Sequence, residues 1–530
     1  VRVIESKKAL LLRTQHPRRL AKIIPTAQLF KYKGKLTLAI PHRQDECRVL
    51  TNIGLSPPAP ILHYYNWRRN ELLIPQPFNA QKITSATLSL NPRTFVLNDL
   101  GTGKSLSALW AWDWLRQVNR AQKLLIICPL STMERTWGDE LFFHFPDQRV
   151  VMVHGSRARR KKLLAQDADV YVVNHHGVQI IADDLAKRPD ITHIILDEIA
   201  QVARNQSTDM WRSFNTIANK QIFPAGARAI WGLTATPTPN EPTDAYAQVK
   251  LVNPHKVPKY FSHFRDKVMS QHGPYTWLPR ANAMDVVDEI MQPAIRFRMS
   301  DCTDLPPTIY MERTVELTPA QKKAYKSMED ELRAQVASGE VTAVNEAVKA
   351  GKLVQIACGV LYADKGERHI VGAEPRLRVV EEAIESSESK TIVFVPFVAA
   401  VAYVAAVIAQ RMPNRTVAVI HGGVSKRDRD EIFGGFQQGN KPDVIVAQPA
   451  AMSHGLTLTK ASTIVWYAPP NSAETYQQAN GRIARPGQKL TTAIINVSGT
   501  PIERRMYARL KKKESMQNIL LDRKVYREVY

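Results

Sequence analysis

Cysteine is scarce here. Four residues in 530 (Cys47, Cys128, Cys302 and Cys358) form no C-x-x-C pair. That argues against a disulfide framework and against a structural zinc site, and fits a reducing compartment. The first residues do not follow the plan of a secretory leader, because their apolar run, ALLL, is four residues long and meets Arg13. Carboxylates are the scarcer charge, with 49 Asp+Glu against 72 Lys+Arg, a net +23. Such an excess points to a polyanionic partner, with nucleic acid ahead of an anionic membrane. Residues 391–410, TIVFVPFVAAVAYVAAVIAQ, carry no charge over the length of a membrane span. Pro396 would interrupt a spanning helix, and alanine contributes little transfer free energy. The segment therefore reads as a buried strand, IVFV, followed by an Ala-rich helix, and no membrane partner is expected.

Enough apolar residues are present to build cores, 44% against 23% charged. The length allows three or four domains at roughly 150 residues each. The charge is not spread evenly. Residues 1–80 carry a net +10 and residues 481–530 a net +8, which favours a nucleic-acid track over a merely solvated surface. Tyr64, Tyr65 and Trp67 lie beside Arg68 and Arg69. That mix suits phosphate contact with base stacking, and equally suits the core of a small β domain.

Residues 1–77 read as short strands and turns, punctuated by SPPAPI and IPQPF, with a hairpin around Gly34. From 78 to 250, strand candidates FVLN, KLLIIC, RVVMVH, DVYVVN, HIILDE and AIWGLT alternate with helical patterns, the texture of a covered parallel sheet. The same texture returns over 375–515 in TIVFV, TVAVIHG, DVIVAQ, STIVWYA and TAIINVS. Between them, 251–374 reads as a mainly helical insertion or linker. It holds KYFSHFRDK, the strand TIYMERTVEL and a long charged helix from Pro319 to about Ala337. Residues 516–530 form a basic tail. The fold class is α/β: two parallel-sheet lobes, the insertion, and a small β-rich, basic N-terminal domain.

FVLNDLGTGKSLSALWAW places a strand, a Gly-rich turn and a helix in succession. A polyphosphate needs close backbone N–H donors, the positive end of a helix, a lysine and a hydroxyl for Mg²⁺. Gly101, Thr102 and Gly103 supply the loop, Lys104 the cation and Ser105 the hydroxyl. The strict P-loop pattern has glycine where this chain has Asn98. At the end of strand HIIL, Asp197 is placed to hold Mg²⁺ and Glu198 to orient and deprotonate an attacking water. WGLTATPTPN ends another strand, and its Thr234 and Thr236 are suited to linking the phosphate site to the rest of the lobe. In YQQANGRIARPGQ, Arg482 and Arg485 stand three apart and share a helix face. Brought in from a second lobe, they would stabilise the charge that spreads over a transferring phosphoryl group.

These residues resemble superfamily 2 helicases and, within them, the Swi/Snf family of ATP-dependent DNA translocases, of the compact bacterial or viral kind. The resemblance covers roughly 78–510. It rests on DLGTGKS, LLIICPLST, Asp197-Glu198, LTATPTPN, LTPAQKKAY and QANGRIARPGQ, which fits Q-x-x-G-R-x-x-R and ends as the family does in R-x-G-Q. It implies two RecA-like lobes crossed by duplex DNA, with ATP and Mg²⁺ as cofactors. It implies Gln81 as the adenine-reading glutamine and Gln478 as a coupling residue. It places the DNA-tracking loops at Cys128–Ser131, Asn174-His175 and Gly455–Leu458, with Ser131, Asn174, His175, Gly455 and Thr457 as contacts. The chain departs from the family at DEIA, which has Ala200 where a histidine is usual, and at AAMSHGLTLT, which lacks a glycine pair and an Asn.

The expected function is an ATP-driven double-stranded DNA translocase that remodels branched or protein-bound DNA. A strand-separating DNA or RNA helicase is one alternative, and a nucleic-acid-binding scaffold with a vestigial ATPase is another. The expected partner is DNA, duplex or branched, with RNA as an option and no small-molecule substrate besides ATP. The expected location is the cytoplasm of a bacterium or an infected host.

Overall fold

Runs of β-branched and aliphatic residues with helical periodicity between them build two parallel sheets. The computed structural model describes the chain except residues 33, 72–75, 220–227, 274–275, 338–350, 363–367, 453–456 and 523–530, and gives only the backbone of 331–337, 361–362, 368 and 513–522. Two compact units are present, Val1–Cys302 forming the body of the first and Thr303–Met516 the second.

The first unit opens with β1 (Arg2–Ile4), β2 (Ala9–Leu12), β3 (Gln28–Tyr32) and β4 (Lys35–Pro41), an antiparallel sheet in the order β1-β2-β4-β3. The β3–β4 hairpin turns at Gly34, whose φ of 74° favours glycine. The packing is continuous across residue 77. Leu10, Leu38, Ile40 and Leu50 share one buried cluster with Leu88, Leu109 and Trp110 of the following helices. Polar ties cross the same boundary. Gln44 donates to the Ser89 carbonyl at 2.6 Å and accepts from Trp114 Nε1 at 2.9 Å. Leu10 is fully buried, so truncating it to alanine would cost about 2–5 kcal/mol.

The large sheet of this unit contains β5 (Arg93–Val96), β6 (Lys123–Cys128), β7 (Val150–Val153), β8 (Val170–Asn174), β9 (Ile191–Asp197) and β10 (Ala229–Leu233). After the small hairpin of β11 (Met269–Gln271) and β12 (Trp277–Pro279), β13 (Ala294–Ile295) completes the order β13-β5-β10-β9-β6-β8-β7. Register aligns the strand ends that matter. Leu233 lies beside Val96 on one side and Asp197 on the other, so the loops after β5, β9 and β10 leave one edge together.

The second sheet begins at β14 (Thr308–Thr314). After the hairpin of β15 (Val360–Tyr362) and β16 (Arg368–Ile370) come β17 (Lys390–Phe394), β18 (Val417–Ile420), β19 (Val444–Ala447), β20 (Ala461–Trp466) and β21 (Thr492–Ser498). The order is β14-β21-β20-β17-β19-β18, all parallel. These are two RecA-like lobes with a small antiparallel sheet at the N-terminus.

The segment read as an insertion, 251–374, divides between them. β13 pairs with β5 in the first sheet, and all seven residues of β14 pair with β21 in the second. A two-residue strand leaves no periodic signal, which is why β13 escapes a sequence reading. Residues 391–410 form β17 and most of the helix Val398–Arg411. Among the described residues no helix is long and apolar enough to cross a membrane.

Candidate nucleotide site and arginine helix

The loop after β5 is shaped by glycine. Gly101 and Gly103 have φ values of 82° and 76°, a region that strains other residues. At Gly103 a Cβ would lie 2.0 Å from Gln81 Nε2, so a side chain there would also collide with Gln81. Gln81 is buried in the helix Asn79–Leu90, with its Oε1 accepting from the Phe78 N–H at 2.9 Å. Asn98, where the strict pattern has glycine, is a brace. Its Nδ2 donates to Thr84 Oγ1 at 2.9 Å, and its Oδ1 accepts from the Phe297 N–H at 3.0 Å. Asp99 is fixed by Arg296 Nη2 at 2.6 Å and by the Met299 N–H at 3.0 Å, and its carbonyl accepts from Thr102 at 2.8 Å. Strand β13 and the residues after it thus lock the loop from behind.

Lys104 and Ser105 open the helix Lys104–Gln117. The Lys104 ammonium donates to the carbonyls of Asn98 and Asp99 at 2.9 and 3.0 Å. Burial pushes its pKa down, opposed by the Glu198, Asp197 and Asp99 carboxylates. Across the sheet edge, Asp197 accepts from Trp137 Nε1 at 2.9 Å through Oδ2 and from the Glu198 N–H at 3.1 Å through Oδ1. Burial pushes its pKa up, while the Trp137 hydrogen bond and Lys104 pull it down. Glu198 has a left-handed backbone, φ 49°, a conformation that costs a non-glycine residue about 1–3 kcal/mol. Strain of that kind is found where a side chain must be aimed. At the end of β10, Thr234 donates its N–H to the Val96 carbonyl at 3.0 Å and its hydroxyl oxygen accepts from the Thr236 N–H at 3.2 Å. The Thr236 hydroxyl is buried and has no hydrogen-bond partner among the described residues. The first unit therefore brings Gln81, Gly101–Lys104, Asp197, Glu198, Thr234 and Thr236 to the loops of three neighbouring strands.

Two residues expected on DNA-tracking loops turn inward. Asn174 is buried, and its Oδ1 accepts from Arg160 Nη2 at 3.0 Å. His175 is buried too, with Nε2 donating to the Asp197 carbonyl at 2.9 Å. An imidazole thus braces the Asp-Glu strand end from position 175, although Ala200 removes the histidine usual just after it. Ser131 is exposed beside Leu130, which is 57% exposed. The aromatic cluster resolves toward packing. Tyr65 is buried with its hydroxyl donating to Asp113 at 2.8 Å, Trp67 meets Trp110 edge to face, and Arg68 pairs with Asp113 and Asp147. Trp137 and Arg296 were not legible as site residues, and His175 was read as a DNA contact rather than as the brace on Asp197. Only their contacts, made far apart in sequence, reveal them.

In the second unit, Ser472 caps the helix Ala473–Asn480, accepting from the Thr475 N–H at 3.3 Å. Gln478 is buried and donates to Glu474 at 3.2 Å. Arg482 and Arg485 do not share a helix face as expected, because the helix ends at Asn480 and both lie in the turns after it. Arg482 is buried, and its carbonyl accepts from the Leu458 N–H at 3.0 Å. Arg485 donates to the Gly481 carbonyl at 2.8 Å and to Thr457 Oγ1 at 3.1 Å. Burial lowers its pKa to about 10, which still leaves it charged at neutral pH. Thr457 thus holds an arginine. Gly455 lies outside the described residues.

Comparison with known proteins places this geometry in context. The family described as SNF2-related domain matches residues 85–363, and the helicase conserved C-terminal domain matches 375–487. The putative protein p41 of Acyrthosiphon pisum secondary endosymbiont phage 1 is 23% identical over 81% of this chain and 94% of its own length. The probable global transactivator of Orgyia pseudotsugata multicapsid polyhedrosis virus is 24% identical over 80% and 86%. The SWI/SNF-related matrix-associated actin-dependent regulator of chromatin subfamily A-like protein 1 of Xenopus tropicalis is 22% identical over 79% of this chain, which spans 42% of that relative. Among solved structures, the Sulfolobus solfataricus SWI2/SNF2 ATPase core in complex with dsDNA aligns at a TM-score of 0.41 and 21% identity, over 85% of this chain and 94% of that one.

Proposed function

This chain belongs to the SNF2-related family of helicase-like ATPases, and from that premise we propose that it is an ATP-driven translocase on double-stranded DNA. The observation that carries the reading is the gathering of Lys104, Asp197 and Glu198 at the ends of β5 and β9, the two strands that flank β10, close enough for both carboxylates to act on the lysine's charge. The residues fit a magnesium–triphosphate. Positive-φ glycines expose N–H donors at a helix start, and the buried Thr236 hydroxyl awaits a partner. Ser105 and Asp197 offer hard oxygen ligands, enough for Mg²⁺ when phosphate and water complete its octahedron. Bound there, Mg²⁺ would neutralise charge building on the phosphate oxygens.

The chain's own groups do the rest. Lys104 exchanges the carbonyls of Asn98 and Asp99 for phosphate oxygens, and Gln81 reads the base. Glu198 takes a proton from the attacking water as its oxygen bonds to the γ-phosphorus and the bond to the β-phosphate oxygen breaks, releasing ADP and phosphate. Trp137 and His175 keep Asp197 aimed. Arg482 and Arg485 come from the second lobe, so turnover is complete only when the lobes close, and Gln478 couples that closure to the site. The excess of basic residues at both ends supports duplex DNA as the track, with Ser131 among its contacts in the first lobe.

Glu198→Gln tests the chemistry. Nucleotide binding by equilibrium titration should be retained while phosphate release is abolished. Turnover like the wild type in that variant would remove Glu198 as the base.

A further inference from the structure

The second sheet contains its own reversal of strand order. From β17 the chain moves out through β18 and β19 on one side, then returns to β20 on the other. The helix after β17, Val398–Arg411, packs with Val393 and Val465 on one face of the sheet. The helix after β20, Ala473–Asn480, packs with Ile392 and Trp466 on the other. The loops leaving β17 and β20 therefore part, and a crevice opens between them, where open α/β sheets take their ligands. A cavity of about 530 Å³ lies there, within the usual range for small-molecule sites. Its walls are Pro396 and Phe397 after β17, Pro469 and Pro470 after β20, and Arg505 and Arg509 of the helix Pro501–Asp522. Every lining residue belongs to the second unit.

The chemistry of this crevice is unlike that of the first lobe. Proline has no N–H, so these loops offer no backbone cradle for a polyphosphate. They present proline rings and a phenyl ring instead. The charged groups are two guanidinia four residues apart, on one side of their helix, and among the described residues no carboxylate lines the cavity. A guanidinium pairs with carboxylate, phosphate or sulfonate and also lies flat against an aromatic ring. We propose that the crevice binds a small planar aromatic anion, its rings against Phe397 and the prolines and its charge on Arg505 and Arg509. Asn471, also in the lining, adjoins Ser472, the cap of the helix Ala473–Asn480 that precedes Arg482 and Arg485, so an occupant would touch the start of that helix. This inference does not depend on which nucleic acid the protein uses.

The test uses the full chain and two dyes with the same ring types, 8-anilinonaphthalene-1-sulfonate and the uncharged N-phenyl-1-naphthylamine. The sulfonate should bind one saturable site. Arg505→Ala with Arg509→Ala should weaken it on the order of tenfold or more while leaving the neutral dye nearly unchanged. Asn471→Trp, at an exposed position, should fill the crevice and weaken both dyes, and it gives an independent reading if the double variant loses its near-ultraviolet circular dichroism. Sulfonate affinity unchanged in folded variants would overturn the proposal. So would equal weakening of both dyes by the arginine substitutions. Displacement of the sulfonate by a single-stranded oligonucleotide would assign the crevice to a nucleic-acid strand and overturn the small-ligand reading.

Discussion

The two lobes share an architecture and differ in what their loops say. Both are parallel sheets, and only in the first do the proposed nucleotide-site residues gather at the carboxyl ends of the strands; Arg482 and Arg485 lie beside Leu458 and Thr457, just before the amino end of β20. In the first, the loop after β5 carries Gly101 and Gly103 in left-handed conformations and turns N–H groups and Lys104 toward one point. In the second, the loop after β17 contains Pro396-Phe397, and the loop after β20 contains Pro469-Pro470. One edge is a glycine-shaped, donor-rich cradle, and the other presents proline and phenylalanine rings with Arg505 and Arg509 beside them. The same fold, read at the same topological position, thus takes different chemistry from a handful of loop residues.

That contrast is open to challenge. If the second lobe supplies only charge to the reaction, Arg485→Ala should lower DNA-stimulated turnover by about a thousandfold or more while ATP affinity barely changes. A parallel loss of ATP binding would mean that Arg485 belongs to the cradle. The next largest effect is expected inside the first lobe. Trp137→Phe removes the donor on Asp197, and a hydrogen bond to a charged group is worth about 1.5–3 kcal/mol. Turnover at saturating ATP should fall roughly tenfold to a hundredfold. An unchanged rate would show that Asp197 is held well enough by the Glu198 N–H and its neighbours.

The smallest effect concerns stability and separates the two sheets by their buried charges. The second lobe buries an ion pair, Arg376 with Glu503 at 2.9 Å. The first, besides its charged site groups, buries a histidine. His193 on β9 lies edge to face with Trp231, and burial lowers its pKa to about 3. The folded state then holds His193 neutral while the unfolded chain takes a proton below about pH 6.5. Stability is full above that value and is lost as pH falls toward about 3. His193→Phe should flatten this acid limb in denaturant titrations between pH 6.5 and pH 4. A slope identical to the wild type would place the acid sensitivity elsewhere.

Much of this was legible because the strands are strongly patterned. KLLIIC and TAIINVS coincide with β6 and β21, and the helix expected from Pro319 to Ala337 is present over that range. The uncharged run at 391–410 separates at Pro396 into strand and helix, as proline and alanine chemistry requires. The nucleotide loop could be read because its residues are consecutive. Its support could not. Arg296 and Phe297 reach Asp99 and Asn98 from about two hundred residues away, through a two-residue strand without periodicity. The N-terminal sheet was legible as strands, but the cluster joining Leu10 and Leu38 to Trp110 depends on which faces meet. Asn174 and His175 stand where the family's DNA loops led us to expect contacts, and their burial follows from Arg160 and the Asp197 carbonyl, partners no local pattern announces.

We propose that hydrolysis in one lobe is completed by the other around a DNA duplex. The most direct measurement is the rate of ATP hydrolysis by the whole chain with no nucleic acid, with single-stranded DNA, with duplex DNA and with RNA, at fixed salt. We expect duplex DNA to raise turnover most, and the response to weaken steeply as salt increases. A rate that no nucleic acid moves would contradict the account.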